Sequence, residues 1–96
     1  MSEKREALIQ GIKAKIDEWN AEIDRLQAKA DQAEAKARID YQEEIQGLEQ
    51  IRDDARQKLQ KLEQAGEGAW EDLRSGFEIA FEAMDEALRS ARQRFK

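Results

Sequence analysis

Eight apolar or small residues, Ile12, Ile16, Trp19, Ile23, Leu26, Ala30, Ala33 and Ala37, follow one another at steps of 4, 3, 4, 3, 4, 3 and 4. Alternating 4- and 3-residue steps lay side chains along one narrow stripe of an α-helix. A helix cannot bury such a seam by itself, so a partner helix must cover it. Where that partner comes from decides the fold.

The pattern next steps by 4 to Tyr41 and by 4 again to Ile45. The extra 4-step is a stutter, which locally unwinds a left-handed supercoil. The seam resumes through Leu48, Arg52, Ala55, Leu59 and Leu62. Arg52 stands where an apolar residue is expected. Either Ile51 rotates in beside it, or the arginine stem lies along the seam with its charge in water.

"QAGEGAW" then interrupts the periodicity. Gly66 suits the left-handed position just past a helix end. Lys58 and Lys61 precede it, where cations favour the negative end of a helix, and Glu71 and Asp72 follow, where anions favour the positive end. These signals predict a hairpin joint at Gly66 and Gly68. Beyond it, Trp70, Leu73, Phe77, Ala80, Met84, Ala87 and Ala91 step by 3, 4, 3, 4, 3 and 4, with Phe81, Leu88 and Phe95 as a flanking row. That face is broad enough for two neighbouring helices. "SGFE", Ser75 to Glu78, matches a capping box. Trp70 and Leu73 stay in phase with Phe77, which favours one continuous helix.

The expected fold is therefore all-α, a coiled-coil or helical bundle in a single domain over residues 1–96. It comprises a long helix over about 3–65 and a shorter antiparallel helix over about 69–95. The long helix would measure roughly 90 Å and the short one roughly 40 Å, so half of the long seam needs further cover. Two arrangements supply it. A turn within residues 28–38 gives a monomeric three-helix bundle. A straight helix gives an antiparallel dimer whose two ends are each three-helix bundles; the two forms differ by a swap at that point. "AKADQAEAKAR" (28–38) has no glycine, proline, asparagine or serine, and alanine is the best helix former. Ala30, Ala33 and Ala37 also hold the seam's phase. Turn chemistry thus favours the straight helix and the dimer, with Ile12, Ile16, Trp19, Ile23, Leu26, Ala30, Ala33, Ala37 and Tyr41 as the self-association seam.

Composition narrows the chemistry. Of the 96 residues, 41% are charged, and there is no proline, cysteine or histidine. Without cysteine there are no disulfides or thiolate metal sites, and a reducing cytoplasm is the expected setting. Without histidine the usual base near neutral pH and the commonest zinc ligand are missing. A bundle di-metal site would want a Glu-x-x-His partner. Ser2, Ser75, Ser90 and Tyr41 are the only hydroxyls, and none has a histidine base. No glycine loop suited to cradling phosphate occurs. No catalytic residue, cofactor or metal is expected. The formal net charge of -5 argues against nucleic acid. "MSEKREAL" lacks a signal-peptide core, and no apolar stretch approaches the ~20 residues of a membrane span.

Trp19 and Trp70 read first as core-filling side chains. The last helix is polarised: residues 67–88 hold seven acids and one arginine, and Arg89, Arg92, Arg94 and Lys96 follow. Macrodipole complementarity explains this ordering. The alternative is a partner or lipid face made of Trp70, Phe77, Phe81, Met84 and Phe95, laid on an anionic membrane surface. Against it, Glu78, Glu82, Asp85 and Glu86 lie along the same helix.

"KIDEWNAEID" (15–24) and "GAWEDLRSGFE" (68–78), with the Ala-, Lys- and Glu-rich middle and the terminal "RF", resemble a family of small bacterial coiled-coil proteins. That family is frequent in cyanobacteria and often described as stress-response proteins. The resemblance implies a soluble helical protein linked to stress, with no catalytic residues to carry over. The run "FEIAF" (77–81) is more aromatic than the family suggests and leaves room for a protein partner. The expected function is a non-enzymatic structural or interaction protein that self-assembles through its heptad seams. A peripheral lipid-binding protein using residues 69–96 is the alternative.

Overall fold

The computed structural model describes residues 3–95. Three helices account for nearly all of them: α1 (Glu3–Gln32), α2 (Ala35–Gln64) and α3 (Glu67–Arg94). They form a rod of 50 × 18 × 18 Å. That length is one 30-residue helix at about 1.5 Å per residue, not two in line.

The continuous helix over 3–65 is therefore corrected. The chain bends at Ala33 and Glu34, inside the stretch that turn chemistry marks as helix. Glu34 takes extended angles, φ -62 and ψ 153. The Ala33 N–H closes onto the Ala30 carbonyl at 3.1 Å, and Arg38 reaches back to the Asp31 and Ala33 carbonyls at 3.4 and 3.1 Å. What overrides the local helix preference is the seam. Folding back lets the chain's own α2 and α3 cover Ile12 to Leu26, and each large side chain so buried contributes about 1.5–3 kcal/mol.

The second joint also differs in detail. α2 ends at Gln64, Ala65 and Gly66 are extended, and Gly68 already lies in α3. Gly66 has φ -76, and no described residue has a positive φ. The left-handed helix cap expected at Gly66 does not form; instead it precedes α3 as its N-cap residue. α3 runs unbroken through Ser75 and Gly76, as its phase predicts.

Arg5 of α1 meets the end of α2 and Trp70 of α3, while Lys29 of α1 meets Phe95. Thus α1 and α3 run parallel, and α2 runs antiparallel between them. α2 packs closely on both neighbours. Among the described residues no α1 Cα comes within 8 Å of one in α3. Large side chains bridge that wider gap: Trp19 meets Phe81 edge-on with ring centroids 5.2 Å apart, and Phe81 meets Phe77 at 4.6 Å. Buried residues from Ile9 to Phe95 form one continuous core along the rod.

Candidate functional site

The seam residues come together, but within one chain. Ile12, Ile16, Trp19, Ile23, Leu26 and Ala30 are buried in the core. Ala33, Ala37 and Tyr41 are half-buried around the α1–α2 turn. The surface assigned to self-association is thus already covered by α2 and α3. Ile9, three residues before Ile12, belongs to the same seam and is 5% exposed. Its spacing was sufficient to find it.

The partner or lipid face is corrected more sharply. Trp70, Phe77, Met84 and Phe95 are buried, and Phe81 is half-buried against Trp19. These side chains are the α3 share of the core, because α3 must supply the bulk that bridges to α1. Phe95 does not form an exposed tip. It stacks on Tyr41 at 4.2 Å, and its carbonyl lies 3.4 Å from the Lys29 ammonium. Arg94 pairs with Glu44 at 3.0 Å and Arg92 with Glu22 at 2.7 Å, so the basic end of α3 binds back onto α1 and α2. Lys96 lies outside the described residues.

Both tryptophans fill the core, as their seam positions predict. Their indole N–H groups are buried and have no hydrogen-bond partner among the described residues. Each such group forfeits on the order of 1–3 kcal/mol. Trp70 is also flanked by two guanidinium groups, Arg5 at 5.1 Å and Arg74 at 6.0 Å from the ring centroid. Arg5 simultaneously donates to the Ala65 carbonyl at 2.8 Å and to that of Leu62 at 3.4 Å. It closes the end of α2, whose last carbonyls have no partner within the helix.

The gap between α1 and α3 leaves a shallow groove. One section, about 360 Å³, is lined by Ala7, Leu8, Gly11, Ile12, Lys15, Phe81 and Asp85. A second, about 640 Å³, surrounds Trp70 with Lys4, Arg5 and Arg74 beside it. Heptad spacing did not reveal this groove, because a seam identifies what is buried and not how far apart the helices stand.

Carboxylates do not converge. Among the described residues no group of three or more could hold a metal ion. They pair instead with neighbouring cations, as in Lys58–Asp54 at 3.0 Å and Arg74–Glu78 at 3.5 Å. Pairs of this kind on exposed helix faces contribute only about 0.2–0.5 kcal/mol each. No helix of the described residues is long and apolar enough to cross a membrane. No protein-family model, curated protein or solved structure matches the chain.

Proposed function

We propose that this chain is a non-enzymatic helical protein that acts through helix–helix association, in a structural or stress-related role. The observation that supports this reading is the division of labour between side chains. Its apolar residues are ordered into one continuous seam along the rod. Among the described residues its charged side chains are dispersed in pairs, some within one helix and some between helices, as in Lys15–Glu18, Arg74–Glu71 and Arg92–Glu22. The stress association rests on the family resemblance, most of which the Trp19 and Trp70 segments carry.

Two large apolar side chains stand out on the charged exterior, Ile39 at 65% and Ile79 at 68% exposure. They are suitable positions for a photo-activated cross-linking amino acid. Placed there in the source cell, the probe is expected to capture a polypeptide, as a discrete adduct that increases under stress. A chain that stays uncross-linked in every growth condition would contradict the reading.

A further inference from the structure

We propose that the Ala33–Glu34 joint is a hinge through which α1 exchanges between two copies of this chain. When it opens, α1 and α2 become one continuous helix, and α1 settles onto the α2–α3 face of the second copy. The inference rests on the helix–helix association reading and names its partner.

Four observations at the joint carry it. First, the start of α2 lacks the local chemistry of a helix end, and at the end of α1 the favourable Lys29 is offset by Asp31. Glu34, the residue before α2, makes no side-chain cap hydrogen bond, and the first turn of α2 contains no acid. That turn instead holds Lys36 and Arg38, cations at the positive end of a helix, and Asp31 sits at the negative end of α1. These placements are unfavourable at helix termini and harmless inside a helix. Second, the other joint differs in the charge that follows it. Neither α2 nor α3 begins with a side-chain cap, and a lysine lies in the last turn before each joint, but the first turn of α3 holds an acid, Glu67, where that of α2 holds Lys36 and Arg38. The first joint is therefore the one poised to straighten.

Third, the seam keeps its phase across the bend. Ala30, Ala33 and Ala37 follow at steps of 3 and 4, ahead of the stutter at Tyr41. A turn imposes no such phase. A continuous helix requires it, so that the α1 and α2 seams share one face. Fourth, the side-chain hydrogen bonds that close the bend are exposed: among the described residues they are those of Arg38 to the Asp31 and Ala33 carbonyls. The closed and exchanged forms bury the same core and differ only here. The closed form has the advantage of intramolecular concentration, and the exchanged form gains with protein concentration.

The test is refolding of the full chain from urea at millimolar and at micromolar concentration, followed by light scattering on the separated species. Refolding at millimolar concentration is expected to trap a dimer that is absent at micromolar concentration. Glu34→Pro should lower the dimerisation constant by about four decades, since proline inside a continuous helix costs about two decades in an equilibrium and the exchanged dimer holds two such helices. The variant should still fold, because Glu34 at φ -62 already matches proline. Arg38→Ala should raise the dimer share. Exchange is separated from side-by-side pairing by mixing chains labelled singly at Lys13 or Glu63, whose side chains pair at 3.7 Å in the bundle. In the exchanged dimer, labels on different chains come equally close. No dimer at millimolar concentration, an undiminished dimer in Glu34→Pro, or labels that stay apart would each overturn the hinge. A monomeric wild type that still cross-links to another polypeptide in cells sinks the hinge alone. An exchanged dimer with no cellular adduct keeps the hinge and removes the association reading.

Discussion

Arg52 of α2 reaches across to Asn20 of α1, with a guanidinium nitrogen 3.2 Å from the Asn20 side-chain oxygen. The same guanidinium donates to Asp53 at 3.0 Å. Its side chain is only 18% exposed, so the arginine does lie along the seam. A polar residue at a seam position fixes which residues face each other, because shifting the register would strand it. Asn20→Ala should therefore lower stability by about 1 kcal/mol, the contribution of one hydrogen bond to a group that keeps its other partner. Urea denaturation measures this, and an unchanged midpoint would show that the pair does not hold the register.

Phe95 gives the largest single-residue prediction. It is 2% exposed and stacks on Tyr41. Phe95→Ala should cost about 3 kcal/mol, near the low end for a buried phenylalanine, because Phe95 lies just past the last turn of α3, where the surroundings relax readily. Tyr41→Phe retains the stacked ring and should stay within about 0.5 kcal/mol of the parent. Thermal unfolding of the two variants compares them directly.

Arg5 joins three elements at the other end of the rod. Arg5→Met removes the donors to the Ala65 and Leu62 carbonyls and the cation over Trp70, while keeping most of the stem. The expected loss is about 2 kcal/mol, from charge-assisted hydrogen bonds at a helix end. Hydrogen exchange should show the last turn of α2 opening first. Uniform exchange along α2 would argue against this anchoring role.

The helix-interior glycines are not required by the fold. Gly11, Gly47 and Gly76 lie within helices, and a Cβ added at any of them meets nothing within 4 Å. Each change to alanine should raise stability by about 0.5–1 kcal/mol. The three sites lie on different helices and an added Cβ at each shares no contact with the others, so the triple variant should approach the sum. A destabilised Gly11→Ala would show that the α1–α3 groove holds something close to the α1 backbone.

The fold was legible wherever a heptad step places a large side chain. Ile12 through Leu26, Leu48 through Leu62, and Trp70 through Ala91 are read from spacing alone, and the seam residues are buried except Arg52, Leu73 and Ala87, which are half-buried. The α1–α2 turn was not legible, because the residues from Ala28 to Arg38 carry helix chemistry and the bend is imposed by the core around them. Gly66 suggested a helix cap by composition, yet at an extended position any residue serves. Phe77, Phe81 and Phe95 suggested an exposed face because heptad position does not reveal the distance between α1 and α3. That distance gives aromatic rings an internal use.

The bend at Ala33 and Glu34 is the central structural claim, and a distance between Lys13 and Glu63 tests it most directly. Spin labels at both positions of one chain, diluted into unlabelled protein at micromolar concentration, report the intramolecular separation by pulsed electron resonance. The bundle predicts a short distance, since the two side chains pair at 3.7 Å. A continuous helix would hold them about 75 Å apart, and that result would contradict the bundle.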